Sequence, residues 1–345
     1  MGGSPGSEPL GRQMESEMGE QPQVLGRLVD SGPEIIRDLR RSIPEPIEGI
    51  VLVARGSSDN AAVFGRYVLE SATLRPVSML FPSLVTLYGV AADYRRWVAI
   101  GASQSGETPE IVEAMEHLRR SGAATVAVTN EPESDLGALA DVTVGLGAGE
   151  EKAVPATKTF TAQLAAFALL GEAMGDPPWP EGALGLVPEA VSAVLADPGP
   201  AVAAADSLAS DHPGFVVGRG YMLAVALEAA LKLKESAAVF AEGISAADLI
   251  HGPIGVVGPR TRVVLLRGPG PADDEMEEVR RRVEARSGVI VEIGPGEEVP
   301  YPRDLPEPLA VFPATVRAQQ IALAAARKRG LDPDQPPGLE KVTRF

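Results

Sequence analysis

Trp97-Val98-Ala99-Ile100-Gly101-Ala102-Ser103-Gln104-Ser105-Gly106-Glu107-Thr108-Pro109 is the stretch that decides the fold. The uncharged, β-prone run from Trp97 to Ala102 reads as a strand buried on both faces, as strands of parallel sheets are. Pro109 suits the first position of a helix, where its missing N–H costs nothing, and Ile111, Met115 and Leu118 then share one face of Glu110–Arg120. The strand therefore feeds a helix through a turn, Ser103–Thr108, that holds three hydroxyls, one amide and one glycine.

The same unit recurs on both sides. Ile50–Ala54, Val77–Leu80, Thr125–Val128 and Val142–Val144 are short apolar runs bounded by Gly, Asn or Asp, with helical patterns between them. Strands alternating with helices specify an α/β fold built on a doubly wound, mostly parallel sheet. Breakers cluster at Asp176–Pro180 and Asp197–Pro200, and beyond them Phe215-Val216-Val217-Gly218-Arg219-Gly220 repeats Val51-Leu52-Val53-Ala54-Arg55-Gly56. The offset between Arg55 and Arg219 matches, within one residue, that between Glu70-Ser71 and Glu235-Ser236. Val263–Leu266 and Val289–Ile293 then stand for the third and fourth strands. The pattern predicts two tandem copies of one five-stranded unit, over residues 31–190 and 191–330. An arm over 1–30, partly disordered, precedes them, with Pro33–Arg40 as a short helix, and a tail over 331–345 follows.

A chain of 345 residues is long enough for two ordinary α/β domains. Its 45% hydrophobic and 23% charged residues are those of a globular protein, not a disordered one. With 31 basic against 47 acidic residues the net charge is -16, which repels nucleic acid and anionic membranes, so an anionic substrate needs a locally electropositive pocket. The absence of cysteine excludes disulfides, thiolate nucleophiles and cysteine-held metals, and His117, His212 and His251 are too scattered to suggest a metal site. Met1–Leu10 has no basic region followed by an apolar core, and no run of about 18 apolar residues occurs, so the cytoplasm is the expected location.

Ser103–Thr108 lies where open parallel sheets gather ligands, at a strand C-terminus and a helix start whose free N–H groups attract anions. Its hydroxyls and amide add donors without adding a charge to bury. A plain Thr108 N-cap would explain one hydroxyl but not the others. Arg55-Gly56-Ser57-Ser58-Asp59-Asn60 also follows a strand, and either completes the same pocket or is an ordinary helix start. Glu228, Lys232 and Glu235 line one side of a helix beginning near Leu223. A solvated stripe would account for them, but the apolar residues around them imply burial, and a desolvated carboxylate beside an ammonium is a tunable base. An isolated histidine such as His251 is more often structural, although its imidazole suits proton transfer near neutral pH. Asp332–Val342, rich in proline, cannot form an ordinary helix and must lie extended or disordered.

Taken in order, Ser103–Thr108, Leu227-Glu228-Ala229-Ala230-Leu231-Lys232-Leu233-Lys234-Glu235, His251-Gly252-Pro253 and Asp334-Gln335-Pro336…Leu339-Glu340-Lys341-Val342-Thr343 resemble the sugar isomerase (SIS) family. Within it they are similar to the isomerase half of glucosamine-6-phosphate synthase and to stand-alone amino-sugar-phosphate deaminases, and Met14…Glu20-Gln21-Pro22 resembles the opening of that half. The resemblance implies two tandem SIS domains and a phosphate site made by Ser103, Gln104, Ser105 and Thr108, joined by Ser58 and the backbone around Val154. It implies that Glu235 moves a proton between C1 and C2, and that His251 assists ring opening from the neighbouring subunit of a homodimer. Lys341 on the tail would close over the sugar and can form an imine with its carbonyl, with Lys232 and Glu228 as polar neighbours. Asp59-Asn60 depart from the synthase's aromatic–His pair, Ala156 replaces a serine and Glu340 a small residue. The synthase's glutaminase domain, with its cysteine nucleophile, is not expected, since the chain starts almost at the sugar domain.

The expected ligand is a hexose 6-phosphate or amino-sugar phosphate. The expected reaction takes glucosamine 6-phosphate to fructose 6-phosphate and ammonia through an enolamine, with no metal or organic cofactor because Glu235 supplies the acid–base chemistry. A fructosamine-6-phosphate deglycase or a simple phosphosugar isomerase would use the same site. A non-catalytic phosphosugar sensor is the alternative of another class, for which a regulator's basic helix-turn-helix finds no room in the short acidic N-terminus.

Overall fold

The computed structural model describes residues 9–341. Val342 and Thr343 of the tail motif, and most of Met1–Leu10, lie outside the described residues. Strands β1 (Gly49–Val53), β2 (Val77–Met79), β3 (Trp97–Ala102), β4 (Ala124–Thr129) and β5 (Val142–Gly145) form one sheet in the order β2-β1-β3-β4-β5. A second sheet has β6 (Gly214–Gly218), β7 (Ala241–Ser245), β8 (Arg262–Leu266) and β9 (Val289–Ile293) in the order β7-β6-β8-β9. All pairings are parallel, with Ile50 opposite Val98 and Val216 opposite Val264 marking the register.

Strand alternation explains the layering. Ile50 and Leu52 face one way, into a core that also holds Val216, Val264 and the helices Ser57–Thr73, Lys158–Met174, Met222–Ala237 and Val311–Lys328. Val51 and Val53 face the other way, onto the helix Pro109–Arg120. Phe215 and Val217 likewise meet Met276, Val279 and Val283 of the helix Asp273–Glu284. Four helices are thus packed between two sheets whose outer faces carry helices of their own. The helix Val311–Lys328 is apolar and long enough to cross a membrane by composition, but its whole apolar window is buried inside this layer.

Three expectations need correction. The second sheet has four strands among the described residues, not five, and where a fifth would follow β9 there is only a single bridge from Ile293 to Val299. Its edge strand β7, Ala-Glu-Gly-Ile-Ser, has no unbroken apolar run because it is exposed along one side. The arm expected over 1–30 is helical from Arg12, as Arg12–Gly19 and Gln21–Ser42, and the latter runs through Pro33. Burial of Val24, Leu25, Leu28 and Leu39 against the central layer outweighs the one hydrogen bond that Pro33 cannot make.

Phe64, fully buried, meets Tyr221 and Phe312 edge-on at 6.2 and 6.3 Å, and so joins first-half and second-half helices. Phe64→Ala is expected to lower stability by about 3–5 kcal/mol, read from urea unfolding.

Candidate active site

The order β2-β1-β3 makes the gap between β1 and β3 a topological switch point, where neighbouring loops part and leave a crevice at the strand C-termini. Ser57 and Ser58 leave β1 on one side of it, and Ser103–Thr108 leave β3 on the other. Both turns line a cavity of about 820 Å³, together with Val154 and Ala156, Lys232 and Glu235 of Met222–Ala237, and Gly338–Lys341 of the tail.

The turn after β3 is held by its neighbours. Asn130 N–H donates to the Gln104 carbonyl and Leu136 N–H to the Gly106 carbonyl, at 3.1 and 3.0 Å. The Ser103 hydroxyl accepts from Gly106 N–H and lies 3.2 Å from the Thr108 hydroxyl. Thr108 is the N-cap residue of Pro109–Arg120, yet its side chain makes no cap bond; Pro109 brings no N–H and the Ile111 N–H donates to the Thr108 carbonyl at 3.0 Å, so the helix start offers an anion chiefly the Glu110 N–H and the Thr108 hydroxyl. Gly106 has φ +64, and a Cβ there would stand 1.9 Å from the Ser134 hydroxyl. Across the crevice the Ser58 hydroxyl accepts from the Gln163 amide at 2.8 Å.

Lys232 is 1% exposed and lies 3.3 Å from Glu228 and 2.5 Å from Glu235. Burial acts against its charge most strongly, but the two carboxylates outweigh that and hold its pKa above the ordinary lysine value. Glu228 is pushed up, first by burial and also by Glu235, against the pull of Lys232, Asn60 and Ser57. Two acids thus share one ammonium, and Glu235, at 23% exposure, is the one that opens onto the cavity.

Of the residues singled out in the sequence, Ser58, Ser103, Gln104, Ser105, Thr108, Val154, Lys232, Glu235 and Lys341 all line the cavity. Glu228 does not. It is 2% exposed, with Oε1 accepting from Ser57 and Oε2 from Asn60, so it braces the helix start. His251 does not line the cavity of its own chain and is exposed after the short helix Ala246–Ile250. Asn60, read only as part of the turn after β1, is the amide partner of Glu228. One residue was missed: Glu151, fully buried, accepts from the Lys341 ammonium at 2.7 Å. No spacing could expose the Glu151–Lys341 pair, because its members lie 190 residues apart, one in a loop and one in the tail.

Each cation at the pocket has a carboxylate partner: Arg55 with Glu110, Lys232 with Glu228 and Glu235, and Lys341 with Glu151. An anion bound by the turn therefore meets chiefly neutral donors and helix-end amides.

These features describe an α/β protein of two doubly wound halves with a hydroxyl-lined cleft at the first switch point. The chain belongs to the SIS domain family, which it matches over residues 47–173 and 207–300. It is 31% identical to the glutamine–fructose-6-phosphate aminotransferase (isomerizing) of Thermococcus kodakarensis, over 95% of this chain and 57% of that protein. The chain thus spans little more than half the length of that curated relative. The glucosamine-6-phosphate deaminase of Thermotoga maritima is 24% identical with a TM-score of 0.79, covering 96% of this chain and 100% of its own. The C-terminal domain of glucosamine-fructose-6-phosphate aminotransferase from Francisella tularensis is 23% identical with a TM-score of 0.77, covering 97% and 100%. At those identities the two structures establish the shared fold.

Gly106→Ala forces a Cβ into left-handed backbone and into Ser134, and is expected to cost about 1–3 kcal/mol, seen as a lowered thermal midpoint.

Proposed function

We propose that this protein is a phosphosugar isomerase/deaminase that converts glucosamine 6-phosphate and water to fructose 6-phosphate and ammonia. The observation that carries the reading is the meeting, in one cavity, of the Ser103–Thr108 turn with the Glu235 carboxylate. The phosphate sits on Ser103, Gln104, Ser105 and Thr108, with Ser58 opposite. In the open-chain sugar, Glu235 takes the proton from C2 to leave an enolamine and returns it to C1, which produces an imine at C2. Water adds to that imine carbon and ammonia departs, leaving the ketone of fructose 6-phosphate. Lys232 holds Glu235 in place through their 2.5 Å ion pair, and the tail lysine Lys341 covers the sugar.

His251 reaches a site only from a second copy, since its own cavity excludes it. The protein is accordingly read as a homodimer, a reading favoured by the exposure of Phe81, Leu84, Leu87, Tyr88 and Val90 along one loop.

Incubation of the purified protein with glucosamine 6-phosphate is expected to release ammonia and fructose 6-phosphate together. Turnover of fructosamine 6-phosphate alone would transfer the reading to a deglycase, and binding without turnover to a sensor. Glu235→Gln is expected to lower kcat by about 10³-fold while phosphosugar affinity, by calorimetry, changes little. Inactive Glu235→Gln and His251→Ala chains, when co-expressed, should regain about a quarter of wild-type activity, because half of the dimers then carry one intact site. No recovery would place His251 outside the partner's site.

A further inference from the structure

We infer that Glu151 is a positioning residue for the tail: its Oε2 is the fixed counter-ion that seats the Lys341 ammonium at the wall of the pocket. What the seated lysine does there rests on the proposed sugar-phosphate chemistry; the seating itself does not.

The two carboxylate oxygens have separate tasks. Oε1 accepts from the N–H groups of Thr157 and Thr159, at 2.9 and 3.1 Å, and so caps the start of the helix Lys158–Met174. Oε2 accepts from the Thr159 hydroxyl at 2.6 Å and from Lys341 Nζ at 2.7 Å. Helix capping alone needs only Oε1, and an anion with no exposure needs a cation to neutralise it. Lys341 is the cation that does so. Its charge and the hydrogen bonds to the carboxylate overcome burial, the largest influence, and hold Glu151 below the usual carboxylate range.

A second anchor lies earlier in the tail. Asp334 accepts from Gln13 and Met14 N–H, at 2.8 and 2.9 Å, and so caps the helix Arg12–Gly19. That helix in turn presents Glu17 to the N–H groups of Lys152 and Ala153, next to Glu151. With Asp334 and Lys341 both tied, Gly338–Glu340 between them line the cavity. A surface ion pair would not order a tail in this way, since two exposed partners gain little over water. Here one partner is buried and already fixed by the helix it caps.

The test is the rate at which an N-hydroxysuccinimide ester acylates Lys341 in the full-length folded protein without sugar, read by peptide mass spectrometry against exposed Lys234. Glu151→Gln keeps the shape and the Oε1 acceptor but removes the charge, and should raise the Lys341 rate about tenfold while leaving Lys234 unchanged. Equal Lys341 rates in the two proteins would overturn the inference. Should that variant not fold, Glu151→Asp, which withdraws the charge by one methylene, should also accelerate labelling, and an unchanged rate would again overturn it. In turnover of glucosamine 6-phosphate, Glu151→Gln should lower kcat by about 10²-fold with little change in KM, as misplacement of a reacting group does. A wild-type protein inert toward every sugar phosphate, whose variant still labels faster, would sink the proposed function and leave the seat standing. An active wild type whose variant labels no faster would sink the seat alone.

Discussion

An ammonium kept out of water is tolerated only where carboxylates and hydroxyls surround it, and Lys232 imposes that condition on the whole molecule. It sits on the second-half helix Met222–Ala237, but its surroundings come from both halves: Glu228 and Glu235 from its own helix, and Ser57 from the helix start after β1. Glu228 extends the knot to Asn60. Two halves that bury Phe64, Tyr221 and Phe312 in one core are thereby also locked in register by charge. The same contacts set the Glu235 carboxylate in the cavity that the serine turns line. Any slip between the halves would leave a buried charge without a partner, a far larger loss than a slip between apolar surfaces.

The two halves are not equivalent, and the difference is chemical. In the first, the crevice between β1 and β3 is open and lined with hydroxyls. In the second, the half-buried Glu307 side chain lies beside the turns after β6 and β8: a Cβ at Gly220 would stand 3.6 Å from its Oε1, and one at Gly270 2.1 Å from its Oε2. Burial raises the Glu307 pKa, as it would for a carboxylate put where a ligand could have stood. Arg267, which follows β8, is taken up by Asp273, Glu277 and Glu292. One repeat supplies the hydroxyl-rich turns of the cavity, and the other supplies the helix that carries Lys232 and Glu235.

Much of this was legible. β3 and the helix after it fall where the apolar run and Pro109 put them, because the run is short, β-prone and bounded by turn residues, and the helix keeps one apolar stripe. The helix carrying Glu228, Lys232 and Glu235 was legible for the same reason. Other features were hidden. The edge strand β7 is half exposed and carries Glu242 and Gly243, so it has no apolar run to announce it. The helix through Pro33 is held by tertiary packing against its local preference. Asp332–Lys341 lacks helix and strand, as its prolines require, but it is tethered by Asp332 and Asp334 to the N-terminal segment rather than loose.

What the amino-acid order determined by itself was whatever depends on neighbours in the chain: the β–α rhythm, the internal repeat, the hydroxyl-rich turn at a helix start, and three ionisable residues on one helix side. Tertiary structure alone decided which of those three line the cavity, that Glu228 bonds Ser57 and Asn60, and that Lys341 ends against Glu151. The physical reason is range. Periodicity and capping act within a few residues, whereas the burial that shifts a pKa and the partner that neutralises a charge are set by segments that meet only after folding.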